Sequence, residues 1–303
     1  MGNGMKPELA VIDIGSNSVR LMLAAAENGR VRRISKTLWT TRLAKGVDAT
    51  GRLAPDRMAE TIEAIGAFRE TAKEYGVPVI AYATSAVRDA ENRDEFVAEV
   101  AEKTGVHVRV LSGAEEGAYA FSAVTGGAGT VFDIGGGSFQ IVTRERALSF
   151  PCGCVRAKER CDASDPGILK CELFAWLDER TDIPESVPAP VYGVGGTIST
   201  IGALLAKQEQ YDPMGLRRIE RKELDRLILQ LSKIPEPLRM KLPLLTRRGD
   251  VILQGATILQ YLMERTGTDC VIPSDRDGME GIAEAFRNGE LTDDNGGISY
   301  EKQ

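Results

Sequence analysis

Three apolar runs open the chain, near residues 8–14, 18–26 and 31–38, separated by short breaks that contain Gly and Asn. This spacing predicts three consecutive β-strands. Met58, Ile62, Ile65 and Phe68 then recur at helical spacing until Gly76 and Pro78 end the pattern, as a helix stop requires. The strand "VPVIAYA", a helix with Phe96, Val97 and Val100 that stops at Gly105, the strand "VHVRVL" and a helix from near Ser112 complete a βββαβαβα series. The second half starts over with "TVFDI", "FQIVT" and "ALSFP", a helix presenting Leu169, Leu173 and Leu177, and the strand "PVYGV". Helices after Gly196, near 221–232 and near 249–266, the strand "DCVIP" and a helix from about Gly278 finish it. With one helical insertion allowed, the halves share one plan. That predicts a duplicated α/β unit with a mixed sheet, divided as 1–124 and 125–303. The tail "LTDDNGGISYEKQ" has no apolar periodicity and is expected to fray.

Each half contains the same device, "VIDIGSNSVRLML" in the first and "VFDIGGGSFQIV" in the second. A Gly turn after a strand also occurs in dinucleotide-binding folds, but there it opens a helix. Here Val19, Leu21 and Leu23 alternate with Arg20 and Met22, and Phe139 and Ile141 flank Gln140, so each turn leads into a second strand. In such hairpins, Gly15, Gly135, Gly136 and Gly137 permit positive φ and close backbone approach. Successive N–H groups can then surround a phosphate, with Asn17 in the same turn and the hydroxyls of Ser16, Ser18 and Ser138 as added donors. Asp13 and Asp133, at the strand ends, are suited to holding Mg²⁺ directly or through its waters. One such turn reads as well as an Asp capping its own backbone. Two copies in duplicated halves point to opposed clamps that grip one phosphorylated ligand across a cleft.

Composition narrows the chemistry. The net charge of −6 argues against broad nucleic-acid binding, so a polyanionic ligand needs a local basic cluster. No apolar run reaches the length of a membrane span, since Leu9–Ala26 contains Asp13, Asn17 and Arg20. "MGNGMKPE" has no signal-peptide layout, and a cytoplasmic location is expected. The one histidine, His107, falls on the polar side of "VHVRV" with Arg109. A Ser-His-Asp triad and His-based metal hydrolases are thereby disfavoured, which leaves carboxylates for acid–base work. Cys152, Cys154, Cys161 and Cys171 lie close in sequence but lack paired CxxC spacing, so core thiols are expected rather than zinc ligands.

The candidate base lies in "LSGAEEGAYAF". Ser112 and Glu115 have capping-box spacing, which assigns Glu115 a structural role and leaves Glu116, on the first helical turn, either to orient and deprotonate a water or to stand as a solvated helix carboxylate; the phosphate hairpins favour the first. A third glycine cluster, "VYGVGGTISTIGALL", runs from a strand into a helix with Thr197 near the N-cap. Gly195, Gly196 and Thr197 can accept an anionic group there, and close strand–helix packing explains the glycines equally well.

Together these segments resemble the exopolyphosphatase and guanosine pentaphosphate phosphatase family (Ppx/GppA) of the actin and sugar-kinase superfamily. The resemblance also takes in "RLAKGVDATGRL", "ATSAVRDAENRDEF", "YDP", "RRGDVILQGA" and "SDRDGMEG". It implies two tandem ribonuclease-H-like domains with mixed sheets flanked by helices and an active-site cleft between them. It further implies Mg²⁺-dependent removal of terminal phosphate from inorganic polyphosphate or from pppGpp, with Glu116 catalytic and Asp13 and Asp133 as phosphate-loop acids. Arg20, Arg88 and Arg248 match basic positions that can take phosphate oxygens bidentately. Two residues depart from the family pattern: Gln140 stands where a metal-associated Glu is usual, and Met279 where an Arg is usual. The chain also ends where longer relatives continue with a helical HD-like domain, so weaker processivity on long chains is expected. The rival readings are a kinase, for which no sugar-binding signature is present, and a polyphosphate or (p)ppGpp sensor whose catalysis is weakened by Gln140. No nucleic acid or membrane partner is expected; the sequence leaves the oligomeric state open, a homodimer included.

Overall fold

The computed structural model describes residues 5–27 and 30–291, together with the backbone of 298–299. The chain forms two units, Met1–Tyr119 with Gly278–Gln303, and Ala120–Asp277.

In the first unit, β1 (Leu9–Ile14), β2 (Ser18–Glu27) and β3 (Arg30–Thr40) form an antiparallel meander. β4 (Val79–Ala83) pairs parallel with the other side of β1, and β5 (Val108–Val110) parallel with β4. The order is therefore β3-β2-β1-β4-β5. β1 is buried at every position, which its unbroken apolar run requires of a central strand covered on both faces. Between strands run α1 (Val47–Thr50), α2 (Pro55–Tyr75), α3 (Ser85–Arg88) and α4 (Arg93–Thr104), and α5 (Gly113–Thr125) follows β5. α2 obeys the sequence rules closely. Pro55 opens it, Met58, Ile62, Ile65 and Phe68 form its buried stripe, and Gly76 closes it at φ 64, its N–H bonded to the Ala72 and Lys73 carbonyls.

The second unit repeats the plan. β6 (Thr130–Ile134), β7 (Phe139–Val142) and β8 (Ala147–Phe150) form the meander. β9 (Val191–Val194) pairs parallel with β6. After β10 (Ile219–Glu220), β11 (Cys270–Pro273) pairs parallel with β9 and antiparallel with β10. The order β8-β7-β6-β9-β11 matches the first sheet strand for strand. The helices are α6 (Cys154–Arg160), α7 (Pro166–Asp178), α8 (Gly195–Leu205), α9 (Arg221–Ser232), α10 (Glu236–Arg239) and α11 (Ile252–Arg265). α11 is buried at every residue from Ile252 to Met263 and packs against α6, α7, α8 and α9, so it is the core helix of this unit. The expected duplication of a mixed-sheet α/β unit is thus present.

The division at 124/125 needs correction. α12 (Gly278–Arg287) and β12 (Ile298–Ser299) belong to the first unit. The apolar face of α12, with Met279, Ile282, Ala283 and Ala285, enters the core formed by Leu9, Val11, Met22 and Ile80. Gly281 lies so close to the Tyr119 carbonyl that a Cβ would collide with it. Periodicity reveals that such a face exists but not which sheet it covers. β12 pairs antiparallel with β4, Ile298 opposite Ile80, so part of the tail expected to fray forms a strand. The rest of that segment after Leu291 lies outside the described residues.

Candidate active site

The β1–β2 turn is tied to its surroundings through its carbonyls. Gly15 N–H donates across the turn to Ser18 O at 3.1 Å, while Ser16 O accepts from Ala44 N–H and Asn17 O from the N–H groups of Thr41 and Arg42, at 2.9–3.2 Å. The hydroxyls of Ser16 and Ser85 hydrogen-bond at 2.9 Å, which fixes the turn to the start of α3. Ser16, Asn17 and Ser18 are all buried. Asp13 faces Arg20 across the hairpin. Arg20 Nε donates to Asp13 Oδ2 at 2.7 Å and its Nη2 reaches the same oxygen.

The β6–β7 turn has the same internal bond, Gly135 N–H to Ser138 O at 2.9 Å. Here the carbonyl anchors come from α6: Cys154 N–H donates to Gly135 O at 3.0 Å and Val155 N–H to Gly136 O at 2.8 Å. Gly153 permits this contact, since a Cβ there would collide with the Gly136 carbonyl. α6 escapes a sequence reading because "CVRAKER" is short and polar; the signal that could have found it is the lone Gly153 between two cysteines. In both turns the anchoring uses carbonyls. No protein acceptor takes the N–H groups of Ser16, Asn17, Gly136 or Gly137 among the described residues. Paired backbone donors of this kind suit a phosphate oxygen. The role expected of the hairpin glycines is corrected in one respect: Gly15, Gly135, Gly136 and Gly137 do not adopt positive φ. Gly15 serves close approach, since a Cβ would lie 3.1 Å from Ser18 O.

The third glycine cluster divides its roles. Gly195, at φ 88, makes the left-handed turn from β9 into α8. A Cβ there would sit 3.0 Å from Asp133 Oδ1, which places that carboxylate beside the turn. Gly196 leaves room for the guanidinium of Arg248, which a Cβ would strike. Thr197 does not cap the helix. The N-cap is Val194, and Thr197 is turned inward against Gly255 and bonded to Cys154. Its hydroxyl has a partner in the core. Burial pushes the Cys154 thiol above its ordinary range, so it is a neutral core group. Cys152 and Cys161 are also buried and Cys171 is exposed on α7.

α5 begins as the sequence predicts. Ser112 N–H and hydroxyl both donate to Glu115 Oε2, at 2.9 and 2.7 Å, and Glu115 N–H donates back to Ser112 Oγ at 3.2 Å. Burial raises the Glu115 pKa, but the Ser112 bonds and the Arg109 guanidinium outweigh it and hold the carboxyl below its ordinary value. Glu116 is left for other work. Its Oε2 lies 3.5 Å from Arg88 Nη1, and the same guanidinium donates to Leu111 O at 3.1 Å and pairs with Asp89. Arg88, expected on the phosphate, therefore stands beside the candidate base and spans the loop that leads into its helix.

Among the described residues no three of His, Cys, Asp and Glu gather into a metal cage. What the second hairpin offers is Asp133 and, directly opposite it, Gln140. Gln140 is 1% exposed and its Oε1 has no hydrogen-bond partner. That donor set fits Mg²⁺, which takes one or two protein oxygens and fills its octahedron with waters and substrate phosphates.

The model of the Ppx/GppA phosphatase family matches residues 22–285. The chain belongs to the Ppx/GppA phosphatase family. Exopolyphosphatase 2 of Mycobacterium tuberculosis is 33% identical over 309 residues, spanning 91% of this chain and 97% of that protein. The crystal structure of the Aquifex aeolicus Ppx/GppA family member covers 94% of this chain and 98% of its own, at 30% identity and a TM-score of 0.76. An exopolyphosphatase from Cytophaga hutchinsonii, 22% identical with a TM-score of 0.83 over 93% of this chain and 98% of that one, shares the fold. The actin-like fold class expected from the sequence is thus established. Met279, which the resemblance puts where an Arg is usual, is fully buried in the first unit's core. Gln140 is different, since its polar end is buried beside Asp133.

Proposed function

We propose that this chain hydrolyses the terminal phosphoanhydride bond of inorganic polyphosphate, with Mg²⁺ held by Asp133 and Gln140. The observation that carries the reading is the carbonyl-side anchoring of both Asp–Gly turns, which presents the N–H groups of Ser16, Asn17, Gly136 and Gly137 to an anion. The near-complete coverage of a relative named an exopolyphosphatase supports the same reaction. In it each turn offers its amide pair to phosphate oxygens, with Arg20 as a further donor in the first unit and Arg248 in the second. Asp13, paired with Arg20 through Oδ2, aims that guanidinium. Water attacks the terminal phosphorus and passes its proton to Glu116; the bridging P–O bond breaks, and the shortened chain leaves with the electron pair. Bound Mg²⁺ would supply neutralisation of charge on the phosphate oxygens. Conversion of pppGpp to ppGpp cleaves the same kind of bond and is proposed as a second reaction of this site.

Orthophosphate release from tripolyphosphate and from pppGpp, assayed side by side with Mg²⁺ and with EDTA, tests the proposal. Release that EDTA stops is expected; no release from either substrate would refute it. Gln140 favours a second reading, a sensor that binds the same anions without turnover. Tight binding with no orthophosphate would support that reading.

No helix among the described residues is long and apolar enough to cross a membrane.

A further inference from the structure

Arg239, the last residue of α10, is 3% exposed, and no carboxylate lies within ion-pair distance of it among the described residues. Its guanidinium donates to three carbonyls instead: Nε to Gly249 O at 2.9 Å, Nη1 to Ile234 O at 3.0 Å and Nη1 to Leu231 O at 3.4 Å. Burial pulls its pKa below the ordinary value. Glu236, Asp162 and Asp250 act on it only from beyond ion-pair distance, and an apolar residue of similar volume fills a core more cheaply than such a cation. What the bonds connect is therefore informative. Leu231 and Ile234 mark the end of α9, a fixed anchor. Gly249 is the residue after Arg248.

The segment around Arg248 has little freedom. Gly249 N–H donates to Leu245 O at 2.7 Å, and the Arg248 carbonyl accepts from Val251 and Ile252 at 3.1 and 2.9 Å. A Cβ on Gly249 would lie 2.9 Å from Met240 N and 3.0 Å from the Arg239 carbonyl carbon. On the far side, the Arg248 guanidinium rests on Gly196 at the start of α8. A chain of contacts thus runs from Arg239 through Gly249 and Arg248 to the α8 N-terminus.

We infer that Arg239 is a positioning residue for Arg248. It fixes the backbone from which the Arg248 guanidinium reaches a phosphate, so anion affinity depends on a side chain that touches no ligand. The inference rests on the proposed function, in which Arg248 binds phosphate.

A double-mutant cycle tests it, with tripolyphosphate titrated by calorimetry into the full chain carrying Glu116→Gln so that the ligand is not consumed. Arg239→Met is expected to weaken binding about tenfold or more in that parent, since small displacements of a positioning group carry effects of that order. Arg239→Lys, which keeps the charge but loses the fork, falls between. With Arg248→Ala in place, Arg239→Met should change the Kd less than about twofold, because the group it positions is gone. Gly249→Ala perturbs the same backbone by another route and should reproduce the loss; it also carries the test if Arg239→Met does not fold. Equal weakening in both backgrounds, or unchanged Kd in folded Arg239→Met and Gly249→Ala, would overturn the inference. A parent that binds no tripolyphosphate would overturn the proposed function and this inference with it, whereas a binding parent with insensitive variants sinks the inference alone.

Discussion

Asp133 and Gln140 stand directly opposite one another on β6 and β7, the register position that Asp13 and Arg20 occupy on β1 and β2. Duplication has left one geometry with two electrostatic outcomes. In the first unit the acid is neutralised by its cross-strand guanidinium. In the second it faces an amide whose oxygen has no hydrogen-bond partner. Gln140→Glu would place a buried carboxylate beside the half-buried Asp133, and like charges at that distance oppose ionisation of both. In EDTA the variant should lose on the order of 1–3 kcal/mol of stability, the cost of an unsatisfied buried polar group. Mg²⁺ should restore it, with cation affinity about tenfold above wild type. Thermal melts and calorimetric Mg²⁺ titration provide the check; identical behaviour of the two proteins would remove position 140 from the metal.

Glu116→Gln keeps the size and polarity of the side chain and removes only the proton acceptor. Orthophosphate release should fall by at least about 100-fold, the usual weight of a general base. Tripolyphosphate affinity should stay close to wild type. Stopped-assay phosphate detection and calorimetry separate the two effects, and a fully active variant would eliminate Glu116 as the base.

Gly195 and Gly196 are adjacent and should fail differently. Gly196→Ala leaves an ordinary helical φ but collides with the Arg248 guanidinium, so anion affinity should drop about tenfold with little loss of stability. Gly195→Ala places a Cβ at φ 88 and 2.7 Å from Ile134 O, and should cost about 1–3 kcal/mol of folding stability. Melting curves alongside ligand titrations distinguish them, and equal effects of both substitutions on affinity and stability would contradict the assignment.

The hairpins, the α2 stripe and the Ser112–Glu115 box were legible in sequence because each is local: a period, a stop residue, a three-residue spacing. The elements that shape the site were not. α6 is under two turns long and carries no stripe, yet its N–H groups anchor the β6–β7 turn. Thr197 sits where a cap is expected, but the β9–α8 turn is made by Gly195, which leaves the hydroxyl facing the core. Arg239 and the return of α12 to the first sheet depend on contacts between segments far apart in sequence, for which a single chain holds no periodic signal.

The α5 cap carries a pH signature. The Glu115 carboxyl titrates lower folded than unfolded, so its stabilising contribution is present above the ordinary Glu range and is lost as pH falls through the lowered folded value. Glu115→Gln should therefore melt below wild type near neutrality by a margin that shrinks in acid. Ser112→Ala should cost about 1 kcal/mol at neutral pH, as lost N-caps do. A wild-type advantage over Glu115→Gln that persists undiminished down to pH 3 would contradict the assignment.

Backbone amide shifts during a tripolyphosphate titration test the central claim most directly. With the full chain carrying Glu116→Gln and labelled with ¹⁵N, the amides of Ser16, Asn17, Gly136 and Gly137 should each shift and saturate as tripolyphosphate is added. Shifts confined to residues outside these turns would contradict the account.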